Sequence, residues 1–422
     1  MTEEIKNRIE SIRKGEIPKG YRYTKDIGIA PTDWKLGKMS DIIENISRPV
    51  PKPDKPYWRL GIKSWAKGTF HTFVDNPDTV DMDELYEVKE NDLIVNITFA
   101  WEHAIAIAKK EDEGLLVSHR FPTYVFKDGQ IPEYYQAVIS QQYFKDMLDH
   151  ISPGGAGRNR VLNRKDFLNL PCYIPSLVEQ RKIAEVLSTC DRVIELKQQL
   201  LDEKHKQKQW LMQILLSSPT NIKEIKLSKL CSKIGDGDWI ESKDQSESGI
   251  RLIQTGNIGV GRYLDKGERA KFISEDTFEK LHCTEVLEGD VLISRLPDPI
   301  GRACKIPTLQ TKAITAVDCT ILRFKDKQVA EFFLQYATST SYFNHISVLS
   351  GGSTRTRVSR KEIENLLIPV PQDAEKMEQI VTGLSILDKD IDLLLEELET
   401  WKHKKKALMQ LLLTGIIRIG GH

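Results

Sequence analysis

From about Ala374 to Leu413 the apolar residues recur at alternating steps of four and three: Ile380, Leu384, Leu387, Ile391, Leu394, Leu398, Trp401, Leu408 and Leu412, with Lys405 the one polar intruder. A seven-residue repeat held this long puts one narrow apolar seam along a helix. Such a helix needs a partner. The same register occurs 197 residues earlier as Ile183, Leu187, Cys190, Ile194, Lys197, Leu201, Lys204, Lys208, Leu211 and Leu215. Off the seam, Leu211-Met212-Gln213-Ile214-Leu215-Leu216 answers Leu408-Met409-Gln410-Leu411-Leu412-Leu413, and Asp191 answers Asp388. Identity at positions that the seam does not constrain argues for duplication. At a rise of about 1.5 Å per residue, forty helical residues span roughly 60 Å, comparable to about seventeen base pairs of B-form DNA. On periodicity alone, a coiled coil between two copies competes with pairing inside one chain.

The matter between the rods favours the second reading. Residues 1–20 open as a short charged amphipathic helix (Ile5, Ile9, Ile12) that stops at Gly15 and Pro18. Short β-like runs follow at Leu93-Ile94-Val95, Ala104-Ile105-Ala106-Ile107 and Thr123-Tyr124-Val125-Phe126, with a helical stretch from Glu133 to Leu148. A Gly-rich loop, Ser152 to Gly157, precedes Pro171 and Pro175, which fence off the first rod. After Pro219 the plan restarts. Trp34-Lys35-Leu36-Gly37-Lys38 is echoed by Ile225-Lys226-Leu227-Ser228-Lys229, Glu90-Asn91-Asp92 by Glu288-Gly289-Asp290, and Arg164-Lys165-Asp166-Phe167 by Arg360-Lys361-Glu362-Ile363. The middles of the two globules share little that aligns, which suggests one frame carrying two different readers. The expected architecture is α+β: globules at 1–175 and 219–371 alternating with long helices at 176–218 and 372–422, the helices packed on each other within the chain.

Composition narrows the function classes. The chain has 422 residues, 40% of them hydrophobic, enough for two or three real cores. With 61 basic and 61 acidic residues there is no global cationic field, so a nucleic-acid-binding face has to be local. Six scattered cysteines show no metal-ligand spacing and read as buried free thiols. No stretch approaches a membrane span or a signal peptide, so a cytoplasmic protein is expected.

At these residues the chain resembles the specificity subunit (HsdS) of a type I restriction-modification system. The resemblance rests on Ile174-Pro175 to Glu179-Gln180-Arg181-Lys182-Ile183-Ala184, Ile368-Pro369-Val370-Pro371, the Leu-Met-Gln repeats that close both rods, and Leu412-Leu413-Thr414-Gly415. Ile253-Gln254-Thr255-Gly256-Asn257-Ile258 and Asp290-Val291-Leu292-Ile293-Ser294-Arg295 add to it. It implies two target-recognition domains that each read half of a bipartite DNA sequence, and an antiparallel coiled coil that spaces them. Two methyltransferase (HsdM) subunits would dock on that coil, with restriction (HsdR) subunits joining through the complex. It also implies no catalysis by this chain, which would direct adenine methylation and cleavage by its partners. No cofactor is expected here; S-adenosylmethionine belongs to the methyltransferase subunit.

Candidate DNA contacts in the first globule combine aromatic, basic and polar groups: Lys63, Trp65, Lys67, Thr69, His71, Trp101, His103, His119 and Arg120. The same aromatics and histidines serve equally as core or rim residues. Arg158, Asn159 and Arg160 after one Gly-rich loop, and Ser353, Thr354, Arg355 and Arg357 in the other, suit close backbone approach with phosphate or guanine contact. In the second globule Asp238, Trp239, Gln254, Thr255, Asn257, Arg262, Arg295 and Arg302 form a candidate polar reading surface. The lysine runs at 204–208 and 402–406 read as solvated helix faces.

Two other classes compete. One is a coiled-coil adaptor whose globules bind protein. The other is a nuclease built on Pro77-Asp78 with Glu87-Val88-Lys89, a match too loose to stand without a metal arrangement beside it. Asp298-Pro299-Ile300 lacks the second proline and the aromatic of a methyltransferase turn.

Overall fold

The computed structural model describes residues 2–154, 160–217, 222–350 and 356–419. It divides into two compact units, Met1–Leu196 with Leu398–His422, and Lys197–Glu397. Both are mixed α and β, and each contains a stretch of both long helices, Leu177–Ser217 and Ala374–Leu413.

The helix pair is antiparallel. In the first unit the start of Leu177–Ser217 meets the end of Ala374–Leu413, where Lys405 Nζ lies 2.5 Å from Asp191 Oδ1. In the second unit the order reverses: Lys197 reaches Glu397 at 2.6 Å, Lys204 reaches Asp390 at 2.8 Å and Lys208 reaches Asp388 at 2.6 Å. Ile183, Leu187, Cys190, Leu201, Ile380, Leu384, Leu387, Ile391, Leu398 and Leu412 are buried along the seam. The polar intruders of the heptads thus sit opposite acids, and Lys208 with Asp388 repeats Lys405 with Asp191 at the duplicated positions.

Each globule's core continues onto its stretch of helix. Trp34, Met39, Tyr124, Tyr134, Phe144 and Phe167 pack in one cluster with Ile183, Leu187 and Leu412. Phe332, Phe333, Tyr342 and Ile363 do the same with Met212, Ile380 and Leu384. An aromatic core shared with a helix face stabilises the placement of that face far more than helix propensity can. All six cysteines are buried and free, and burial pushes the Cys231 and Cys304 thiols up to about 12.

The globules repeat each other more fully than their sequences suggest. The first has a four-stranded sheet in the order 105–107, 93–95, 123–126, 43–46; the second has its counterpart as 303–305, 291–294, 319–324, 231–236. Of the five-stranded sheets, four strands also correspond: 84–87, 116–117, 57–62, 69–74 match 285–286, 313–315, 250–253, 271–273, including the one parallel pair in each. The expectation of unlike interiors is corrected here: the interiors share topology, and the fifth strand is what differs. It is 49–51 beside 84–87 in the first globule and 245–246 beside 271–273 in the second. Strand 69–74 is therefore a sheet edge in the first globule, whereas its counterpart is covered.

The duplicated framework also has a different register from the one read in the sequence. Lys38 Nζ donates to Asn169 Oδ1 at 3.1 Å and Lys226 Nζ to Asn365 Oδ1 at 2.9 Å. Met39 N and Leu227 N likewise donate to Leu170 O and Leu366 O, both at 2.9 Å. Lys38 therefore corresponds to Lys226, three residues before the position suggested by the Lys-Leu-x-Lys echo. Pairing with strands 171–174 and 367–371 sets the register, and side-chain similarity does not.

Candidate functional site

In the first globule the hairpin of strands 57–62 and 69–74 ends in the loop that carries Lys63, Trp65 and Lys67, all three exposed. Trp65 and Ala66 have φ of 65° and 48°, a left-handed conformation that residues with a Cβ seldom adopt. Two backbone bonds hold them there, from Trp65 N to Glu102 O at 2.9 Å and from Ala66 N to His103 O at 2.8 Å. Ser64 Oγ adds a bond to Glu102 Oε2 at 2.7 Å. The structure thus brings the first set of candidates against the second, Trp101 to His103. Trp101 is half-buried, with Arg160 over its ring at 5.4 Å.

His103 is turned inward, 4% exposed, with Nε2 2.6 Å from Ile139 O. That carbonyl can only accept, so Nε2 carries the proton, and burial holds the histidine's pKa below its ordinary value. It braces the loop and offers nothing to a ligand. Thr69 and His71 share a different anchor, the fully buried Asp112: Thr69 Oγ1 bonds it at 3.1 and 3.0 Å, and His71 Nε2 lies 2.7 Å from Oδ1. His71 keeps its other ring nitrogen for the outside. His119 and Arg120 are exposed on the turn after strand 116–117. Arg160 is partly committed, to Ser152 O at 2.9 Å and Asp149 O at 2.8 Å. Arg158 and Asn159 lie outside the described residues.

The second globule separates its candidates sharply. Arg302 is spent on structure: Nε donates to Ile258 O at 2.6 Å, Nη1 to Leu296 O at 2.9 Å and Pro299 O at 3.1 Å, and Nη2 to Thr255 O at 2.9 Å. Asn257, 4% exposed, closes the same turn by accepting from Gln254 N and donating to Leu264 O. These two residues hold the loop that presents Gln254 and Thr255; they do not face outward themselves. Arg262 is exposed and reaches Asp392 at 3.4 Å. Trp239 is 70% exposed, beside Asp238, whose carboxylate accepts from Thr284 N at 2.9 Å. Burial raises the pKa of Asp238.

Arg295 stands apart from Arg302. It is 5% exposed, donates Nη2 to Val317 O and pairs with Asp236 at 3.3 Å, yet its buried Nε has no partner. Arg360 reaches the same Asp236 at 3.3 Å, and exposed Arg357 pairs with Asp318 at 3.0 Å. The result is a cluster of three arginines and two aspartates. Ser353, Thr354 and Arg355 lie outside the described residues.

Sequence reasoning did not find Asp112 and Asp318 as partners of the candidates, nor Lys145, whose Nζ lies 4.5 Å from the Trp65 ring centroid, because each is remote in sequence from the group it holds. Among the described residues no group of three or more His, Cys, Asp or Glu is placed to hold a metal ion.

Comparisons with known proteins agree with one another. The family described as "Type I restriction modification DNA specificity domain" matches residues 31–203 and 219–400. The chain is 24% identical over 418 residues to the type I restriction enzyme MjaVIII specificity subunit of Methanocaldococcus jannaschii, covering 92% of this chain and 94% of that protein. In fold it is similar to the type I restriction-modification system S subunit from M. genitalium, with TM-score 0.54, 14% identity, and coverage of 93% and 97%. It is also similar to a chain solved for the structural basis underlying complex assembly and conformational transition of the type I R-M system, with TM-score 0.56, 17% identity, and coverage of 92% and 99%.

Proposed function

The chain belongs to the type I restriction modification DNA specificity family, and from that premise we propose how its parts divide the work. It is the DNA sequence-specificity subunit of a type I restriction-modification system. Each globule reads one half of a bipartite target, and the helix pair acts as the spacer. The observation that carries this reading is the repeated sheet frame bearing unlike loops and edges, each copy rooted in the helices by its own aromatic core. Sequence is chosen by side chains at base edges, while phosphate contacts fix position.

Two methyltransferase subunits dock on the helices, and restriction subunits join through them. Exposed apolar residues on the outer faces, Leu200, Trp210 and Ile214 on one helix and Ile386 and Leu393 on the other, support a protein-covered surface. S-adenosylmethionine binds the methyltransferase, and this chain performs no catalysis. Among the described residues no helix is long and apolar enough to cross a membrane; the working compartment is the cytoplasm, with the DNA.

The test is selection from a random duplex library by the chain assembled with its methyltransferase partner. A split motif is expected, and replacing residues 219–371 by the matching segment of another specificity chain should change one half of it only. Selection without any enriched sequence would instead favour a protein-binding adaptor.

A further inference from the structure

We propose that Trp65 is a rigid stacking finger, which the first globule lays against a nucleobase of its half-site, with Lys145 behind it as a positioning residue. This deepens, and rests on, the specificity reading above. Trp65 is 59% exposed, although a large aromatic ordinarily stabilises a fold by leaving water. Its backbone is left-handed, as is that of Ala66, and the His103 backbone on which they are hung is left-handed too, with φ of 67°. Glycine would relieve each position. Strain of this kind persists only where surrounding bonds over-determine it, and it gathers at functional sites.

The bonds are present: two backbone amides and Ser64 Oγ fix the loop to residues 102 and 103, and buried His103 is pinned in turn to Ile139 O. The ring is oriented as well. Lys145 Nζ, from helix Gln142–His150, lies 4.5 Å from the ring centroid, within cation–π range. Exposed Lys63 and Lys67 flank the finger, and among the described residues neither makes an ion pair. An open aromatic face with cations around it fits a partner with stackable rings on a polyanionic backbone, which is the chemistry of nucleic acid where a base step of the duplex is unstacked to admit the ring. A rigid side chain also binds with little entropy left to lose.

The experiment uses the chain assembled with its methyltransferase partner, on the selected target duplex and on a scrambled one, with 2-aminopurine placed in turn at each target position. The unchanged complex should alter the fluorescence strongly at one position in one half-site. Trp65→Ala and Trp65→Leu should each lose that signal and weaken target binding about tenfold or more, with scrambled binding held within about twofold; Trp65→Phe should stay within about threefold of the parent. Lys145→Met should blur the signal and Lys145→Arg restore it, which a purely structural lysine would not do. Target binding within twofold for Trp65→Ala with the signal intact would overturn the finger and leave the specificity reading standing. An equal loss on both duplexes would also overturn it. Failure of the unchanged complex to distinguish the two duplexes would instead sink the specificity reading.

Discussion

Arg295 and Arg302 sit seven residues apart at the two ends of the loop joining strands 291–294 and 303–305, and show what an arginine does when its donors are used up and when they are not. Arg302 binds four carbonyl oxygens from two loops, so Arg302→Lys, with one compact head, should lower stability by about 2–4 kcal/mol in urea unfolding. His103 makes a second prediction. Its pKa is lowered on folding, mainly by burial, so protonation works against the folded state. Its contribution is present above about pH 6.5, the ordinary histidine value, and is lost as pH falls through that value toward the folded one. His103→Gln, which keeps a donor for Ile139 O, should flatten the fall in melting temperature between pH 7 and pH 5; an unchanged slope would clear His103 of the effect. Neither residue's inward role was legible in the sequence, because an arginine or histidine in a polar run reads the same whether it faces a groove or a carbonyl.

The long helices were legible almost to the residue, since a heptad repeat is a local signal and burial of one face is all it needs. The lysines on their seam were harder to place, and the structure shows each set against an acid of the other helix. Lys208 is 9% exposed, and Asp388 also accepts from Gln335 Nε2 at 2.9 Å. Removing Asp388 alone should cost about 1–3 kcal/mol, because a mostly buried ammonium then loses its partner. Asp388→Ala with Lys208→Met should cost less than the sum of the two single changes; additive losses in a denaturant double-mutant cycle would show the pair to be uncoupled. Polar groups at core positions fix register more than they add stability. The echo of Asp92 and Asp290 also has a mechanism. Each buried carboxylate accepts from two nitrogens of one arginine, Nη1 and Nη2 of Arg48 for Asp92 and Nε and Nη2 of Arg323 for Asp290, and from the amide three residues back. The acids were visible as a repeat, but their arginines were not, lying 44 residues before one and 33 after the other.

Across the whole molecule, the first unit is assembled from both ends of the chain. Glu179, 2% exposed, accepts from Trp34 Nε1 at 2.9 Å and from Arg418 Nε at 2.7 Å, while Arg418 also grips Asp33 at 2.9 and 3.1 Å. Burial disfavours the charge on Arg418, yet its hydrogen bonds to the two carboxylates raise its pKa overall. Arg8 and Tyr21 donate to Ile416 O and Gly415 O, so the tail is tied to the N-terminal segment as well. Arg418→Met should destabilise this unit by about 3–5 kcal/mol in denaturant unfolding by stranding Glu179, and adding Glu179→Gln should recover most of it. Recovery would identify the stranded charge, not lost packing, as the cause.

That stitching has a consequence for biosynthesis. A ribosome makes Leu196 about 200 residues before it makes Leu398, roughly 10–40 s at ordinary translation rates. Throughout that interval the earlier-made globule lacks the returning helix and its arginine clasp, while the later-made one, a single continuous segment, is complete as soon as Glu397 has been added. The usual order of maturation on the ribosome is thereby inverted: the piece translated first is the last to be finished, and its apolar face stays unsealed until the returning helix has been made.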